Sequence, residues 1–333
     1  MKYFVLFLFS SAVFFSGCAT DNTASNAAKD SLRKSQIPFN QTAFIRAASE
    51  GDVEIVNLFL TAGIDKSGLK NSNALAAAVA KNHIKVVDAL LAAGYPVDIE
   101  SYNGTPLCIA AANNYLETAK KLISAGADAD YKYESGTPLY LAAEKNHPEM
   151  VKLLLNAKAD PDITVTTPVK TPLMAAAYNN ADEVVKLLLD NGADIHLRDY
   201  AGHSALDIAV YAGNSNCAAL IIDSKGFDSD KDALPAMLMA ISKNNIEIMK
   251  KLIKKGADVN AVNGQLPILS WAIKTNRIPA AELLIEKGAD TAKTDTSGMT
   301  PMDYAIRQDS PGIKEKLQQT TKPAVTAEPE IVK

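Results

Sequence analysis

Residues 104–128 read GTPLCIAAANNYLETAKKLISAGAD, and this stretch decides the fold. Thr105-Pro106-Leu107 opens an apolar run: proline fits the first helical position, whose amide has no partner in any case, and the preceding Thr can cap it. Asn114 follows that run, and Gly126 closes a second one. Gly and Asn are the residues that most readily take the left-handed backbone that ends helices. The stretch therefore predicts two short helices, broken at Asn114 and ended at Gly126.

Both signals recur along the chain. The closing slot falls at Gly63, Gly94, Gly126, Lys158, Gly192, Gly226, Gly256 and Gly288, at intervals of 31, 32, 32, 34, 34, 30 and 32 residues. The breaking slot keeps the same beat at Gly51, Asn82, Asn114, Asn146, Asn180, Gly213, Asn244 and Asn276. Between the breaks the apolar spacing is helical, as in Val151, Leu153, Leu154 and Leu155. Polar turn formers such as Asp199-Tyr200-Ala201-Gly202 and Thr296-Ser297-Gly298 follow each second helix and read as extended loops. A fixed period of this length means a stack of two-helix units, each touching only its neighbours.

The opening Thr-Pro-Leu stands again at Thr137-Pro138-Leu139 and Thr171-Pro172-Leu173, with near copies at Ser204-Ala205-Leu206 and Thr300-Pro301-Met302. Small pairs that let helices approach follow it at Ala47-Ala48, Ala110-Ala111, Ala142-Ala143 and Ala176-Ala177, and Gly-Ala-Asp endings begin at Gly126, Gly192, Gly256 and Gly288. This set resembles the ankyrin repeat. The resemblance implies an all-α solenoid of about nine helix-turn-helix repeats with β-hairpin-like loops over residues 38–318, the first and last degenerate.

The sequence departs from the family in three places. Where the family carries a His after Thr-Pro-Leu, this chain has Ile45, Ala76, Cys108, Tyr140, Met174, Asp207, Leu238, Ser270 and Asp303, so reduced hydrogen bonding between repeats is expected. An insertion around Thr164 to Lys170 and a shortened loop at Asp228 to Leu234 should make the twist irregular.

The termini are of another kind. Lys2 precedes an apolar run from Tyr3 to Phe15, too short to span a bilayer and closed by Ser16-Gly17-Cys18. It is similar to a bacterial lipoprotein signal, which implies a signal peptide over residues 1–17 and acylation of Cys18. Phe15 departs from the Leu usual in such signals. Residues 18–37 then read as the acylated Cys and a flexible tether spanning about 25 Å, and Ala19-Thr20 resembles the sorting residues of cargo sent to the outer membrane. Residues 319–333, with Pro323 and Pro329, read as a disordered tail.

Chemistry is sparse. Lys plus Arg total 34 against 38 Asp plus Glu, which leaves no basic surplus to neutralise nucleic acid. Cys108 and Cys217 fall in repeats too far apart to meet and read as buried apolar residues, as does Trp271. His83 and His147 follow equivalent helix breaks and belong to the scaffold, while His196 and His203 flank one loop without a ligand set around them. Asp228, Asp230 and Asp232 begin like a calcium loop, but Ala233 and Met239 replace its Gly and closing Glu. The pairs Lys250-Lys251 and Lys254-Lys255 read as a solvated face. No phosphate loop and no nucleophile with its base appears in the sequence, so no enzyme, cofactor, metal or small-molecule substrate is expected.

In the ankyrin family the loop tips and the exposed ends of the first helices contact partners across a concave face. The resemblance places those positions at Tyr102, Glu134, Tyr200 and His203 on loops and at Lys81, Glu144, Lys145, Tyr178, Tyr211, Lys243 and Lys274 on helices. Tyr178, Tyr200, His203 and Tyr211 come from two adjoining repeats, and tyrosine gives large contact area at low entropic cost. The expectation is a non-catalytic scaffold, lipid-anchored in the bacterial envelope, that binds a partner protein. The alternatives are a secreted effector acting on a host protein, a structural spacer, and a hydrolase hidden in the repeats.

Overall fold

The computed structural model describes residues 17–68, 73–166 and 169–321. The chain forms two compact units, Met1–Thr167 and Pro168–Lys333, which divide inside the insertion. In the first unit α1 (Gly17–Lys34) precedes four helix pairs: α2 (Gln41–Glu50) with α3 (Val53–Thr61), α4 (Ala74–Ala80) with α5 (Ile84–Ala92), α6 (Pro106–Ala112) with α7 (Leu116–Ser124), and α8 (Pro138–Glu144) with α9 (Pro148–Asn156). A short strand, β1 (Val165–Thr166), follows.

The second unit opens with β2 (Val169–Lys170) and holds five pairs: α10 (Pro172–Tyr178) with α11 (Asp182–Asp190), α12 (Ala205–Ala212) with α13 (Ser215–Asp223), α14 (Ser229–Lys243) with α15 (Ile246–Lys254), α16 (Ile268–Lys274) with α17 (Ile278–Glu286), and α18 (Pro301–Arg307) with α19 (Pro311–Thr321). Strands β3 (Val262–Asn263) and β4 (Leu266–Pro267) pair antiparallel, Val262 opposite Pro267, at the tip of one loop. Lone bridges Ser101–Gly104 and Tyr133–Gly136 make the same hairpin shape in two others. Within each unit, first helices stack on first helices and second helices on second helices.

Local chemistry explains the helix ends. Every breaking residue named above has a left-handed backbone, from φ 54° at Asn244 to φ 82° at Gly213. Thr105, Thr137 and Thr171 each accept the amide three residues on, of Cys108, Tyr140 and Met174, so the opening motif caps its helix as expected. Asn40 and Asn73 make the same cap for α2 and α4 without the motif. The alanine pairs are buried, and beneath them Phe59, Leu90, Leu122, Leu154 and Leu188 are fully enclosed in the second-helix row. Each such side chain contributes about 1.5–3 kcal/mol by leaving water.

Several expectations need correction. The tether is instead α1: Ala28 and Leu32, one helical turn apart, are buried, Ser25 Oγ donates to Ala62 O at the end of α3 (3.1 Å), and Lys29 sits over the Phe39 ring. An alanine-rich stretch that looks aperiodic thus gains a helical face by docking, and it caps the stack. At the other end the helix runs on to Thr321, with Leu317 buried, so residues 319–321 are not tail; residues 322–333, and residues 1–16 of the signal peptide expected over 1–17, lie outside the described residues.

The shortened loop at Asp228 to Leu234 is helical, because Asp228 caps α14 ten residues ahead of Leu238, the position that aligns with the other slots. Gly226 accordingly has no left-handed backbone to supply; α13 ends at extended Ser224 (φ −65°, ψ 157°). Hydrogen bonding between repeats is relocated rather than lost: His83 Nε2 donates to Ser49 O (2.9 Å), His147 Nε2 to Ala112 O (3.2 Å), Asn214 Nδ2 to both Ala177 O and Tyr178 O (2.8 Å each), and Asn245 Nδ2 to Ser215 Oγ (3.0 Å). In the vacated slot, Asp207 and Asp303 bond back to the caps Ser204 and Thr300. Trp271 is half-buried, standing off the enclosed face that Leu269, Ser270, Ala272 and Ile273 form on α16.

Candidate functional site

The expected contact residues lie at the exposed ends of first helices and on loop tips, and the two units differ in what they do there. In the first unit Tyr102 is 79% exposed on its hairpin, its carbonyl accepting the Tyr133 hydroxyl at 3.3 Å. Glu134 and Lys81 are exposed. Glu144 is half-buried between the Tyr140 hydroxyl (3.4 Å) and the Lys145 ammonium (3.4 Å), and burial together with that carboxylate pushes the Tyr140 hydroxyl up to about 12. Its charge is therefore largely spent inside its own repeat.

The second unit presents its aromatics differently. Tyr178 at the end of α10 and Tyr211 near the end of α12 are 54% and 57% exposed, on two helices packed against each other. The carbonyl end of α10 is fixed by the Asn214 side chain, which holds Tyr178 at a defined height. Lys170 Nζ stands 5.3 Å from the Tyr178 ring centre, and Lys243 Nζ, from the next repeat, stands 3.9 Å from that of Tyr211. Cations at these distances are attracted to the ring face and stiffen it.

Tyr200, 76% exposed, and half-buried His203 occupy the hairpin ahead of α12. Asp199 builds that hairpin, its Oδ1 accepting the amides of Ala201 (2.9 Å) and His203 (2.8 Å). The hairpin and the tyrosine pair lie at opposite ends of α12, roughly 10 Å apart along its axis at 1.5 Å per residue. The structure thus brings together Tyr178 and Tyr211 and keeps Tyr200 and His203 as a second group.

Sequence reasoning missed Lys170. The signal was its position directly before Thr171-Pro172, where Gly104 and Gly136 precede the same motif elsewhere. It also missed Asp207, which is 3% exposed, closes the cap of α12, and has Arg198 at 3.4 Å.

Other chemistry is structural. Cys108 and Cys217 are free, buried thiols; burial foremost, then the Asp182 carboxylate 3.0 Å away, pushes Cys217 up to about 12, so it carries no reactive thiolate. His196 Nδ1 lies 3.1 Å from buried Asp232, which also accepts the Asp228 amide, so the acidic run serves the start of α14. Among the described residues no three His, Cys, Asp or Glu side chains converge as a metal site would require. A groove of about 640 Å³ runs between α11 and α13, on the second-helix row, lined by Lys186, Asp190, His196, Leu220 and Asp223. Asp223 there is taken by Lys251 (2.6 Å) and Lys255 (3.2 Å), which hold its carboxyl below the usual carboxylate range. These two lysines, expected only to be solvated, are interhelical partners.

Comparison with known proteins agrees with this geometry. A family model described as "Ankyrin repeats (3 copies)" matches residues 16–103, 93–167, 162–233 and 236–324. The ankyrin repeat domain of Bcl-3, described as a unique member of the IkappaB protein family, is similar at 26% identity and TM-score 0.56, over 64% of this chain and 98% of that one. The human ASB11 ankyrin repeat domain is similar in fold at 23% identity and TM-score 0.54, over 66% of this chain and 99% of that one. No curated protein sequence matches significantly.

Proposed function

The chain belongs to the ankyrin-repeat family, and from that premise we propose that it is a non-catalytic scaffold that binds a partner protein through the first-helix face of its second unit. The observation that carries this reading is the pair Tyr178 and Tyr211, exposed at matching ends of adjacent helices and braced by Lys170 and Lys243. Large rings held rigidly in the open lose little entropy when a partner covers them, and such residues dominate binding energy. Tyr178→Ala and Tyr211→Ala should each weaken partner capture about tenfold or more, near 1.4 kcal/mol, with little change in thermal stability. Lys254→Ala, exposed on the second-helix row, is the control. Full capture by folded tyrosine variants would overturn the reading.

The scaffold is further proposed to be a lipoprotein of the bacterial envelope, acylated at Cys18 and held at the outer membrane. Support comes from the run closed by Ser16-Gly17-Cys18 and from Ala19-Thr20. No described helix is long and apolar enough to cross a membrane. Acyl chains bring about 0.8 kcal/mol per buried methylene, so two or three would anchor the protein durably. Labelled fatty acid should enter the protein and should not enter Cys18→Ser; failure to label the unaltered protein would refute the anchor.

A further inference from the structure

We infer that the segment received by the second unit is an extended, acidic stretch of a partner protein, with a carboxylate at about every third residue. This rests on the first-helix face being the interface, and it adds the chemical class of what binds there. The last or next-to-last residues of the five first helices are Tyr178, Tyr211, Lys243, Lys274 and Arg307, a row with two rings, three cations and no carboxylate. The first unit's row, by contrast, carries Glu50 and Glu144, paired with Arg46 and Lys145.

Several carboxylates near the second unit's row are engaged within their own loops and helices. Asp199 accepts two amides of its own hairpin. Asp295 accepts the amides of Ser297 (2.8 Å) and Met299 (2.9 Å) and the Tyr304 hydroxyl (2.5 Å). Asp303 accepts the amide and hydroxyl of the Thr300 cap of α18, and Asp207 is buried. Asp182, Glu183 and Glu247 begin second helices, and Asp182 is taken by Asn216 and Cys217. Lys243 rests over Tyr211, Lys274 lies 5.9 Å from the Tyr304 ring centre and near enough to Asp295 to help lower its carboxyl, and Arg307 acts likewise on Asp303 one helical turn back; among the described residues none of the three closes an ion pair with a carboxylate. A lysine held over a ring keeps N–H donors for an incoming carboxylate, and pairing there is strengthened when the partner excludes water.

The spacing follows from the stacking. Packed helices lie about 8–10 Å apart, and a chain in the extended polyproline II conformation advances about 3.1 Å per residue with three residues per turn, so that every third side chain faces the same way. One repeat therefore corresponds to about three residues of ligand. Carboxylates at that interval would meet Lys243, Lys274 and Arg307 in turn, and apolar residues ahead of them would reach Tyr211 and Tyr178.

The test uses the full chain and a short fluorescent peptide with Glu at every third position and Ser, Thr or Pro between. Its anisotropy should report binding that weakens as salt rises. Binding should fall about tenfold or more in Lys243→Gln/Lys274→Gln/Arg307→Gln and stay unchanged in Lys250→Gln/Lys254→Gln, on the second-helix row. Absence of binding, equal binding by a peptide with Lys in place of Glu, or equal loss in both sets of variants would overturn the inference. Tighter binding of anionic vesicles or single-stranded RNA through the same three cations would also overturn it, by assigning the face to another class of ligand. If the tyrosine variants still impair partner capture while the acidic peptide does not bind, the interface stands and its charge class falls. If the tyrosine variants do not impair capture, both fall.

Discussion

Gly51 ends a first helix and Gly126 a second, both in left-handed turns with φ 79° and 90°, yet alanine should cost very different amounts at the two. A Cβ on Gly126 meets nothing within 4 Å. The cost of Gly126→Ala is then the left-handed strain of a residue with a side chain, about 1–2 kcal/mol, less about 0.4–1 kcal/mol because alanine restricts the unfolded chain. The net loss should be about 0.5–1 kcal/mol. A Cβ on Gly51 lies 2.7 Å from His83 Nδ1 and 2.8 Å from its Cε1, so the ring must move. That ring donates to Ser49 O at 2.9 Å and ties α4's repeat to α2's. Displacing it leaves a part-buried carbonyl unpaired, which costs about 1–3 kcal/mol more. Gly51→Ala should therefore lose about 1.5–4 kcal/mol in total. Urea unfolding gives the total, and native-state hydrogen exchange across α2 to α5 locates it. In a His83→Ala background the excess should vanish, leaving Gly51→Ala no worse than Gly126→Ala. Equal losses in the unaltered background, or an excess that survives removal of His83, would refute the argument.

Leu154, fully enclosed in α9, should cost about 2–5 kcal/mol when cut to alanine, with exchange rising first in α8 and α9 and their neighbours rather than uniformly over residues 40–315. Lys158 holds a left-handed backbone (φ 70°) where other repeats have Gly, so Lys158→Gly should be neutral to stabilising by up to about 1 kcal/mol in urea unfolding; a clear loss would contradict it. Asp223 is depressed by Lys251 and then Lys255, so its pairing supports the fold above the unfolded carboxyl value of about 3.9 and is lost as pH falls through the lower folded one. Asp223→Asn should thus weaken the protein near neutrality by less than about 1 kcal/mol, since the side chain is half exposed, with the difference closing below about pH 4. A difference that persists in acid would show that packing, not charge, was lost.

Period, helix breaks and caps were legible in the residues because they are local. Asn114 or Thr105 needs only the adjacent backbone to act, so spacing alone located two helices per repeat and the extended loops between repeats. Chemical character at the candidate face was legible too, since Tyr178 and Tyr211 fall at the same place in successive periods. Tertiary structure decided what depends on neighbours distant in the chain. Ala28 and Leu32 make α1 a docked helix only because α3 offers a surface that returns the ordering cost. Asp228 to Leu234 becomes helix rather than loop because Asp228 caps α14 ahead of the usual start. The vacated His slot gave no sign that His83, His147 and Asn214 would carry the bonds between repeats, because their partners lie 34 to 37 residues away. Lys243 and Tyr211 are likewise separated in sequence by a whole repeat, and only stacking brings the ammonium to within 3.9 Å of the ring centre.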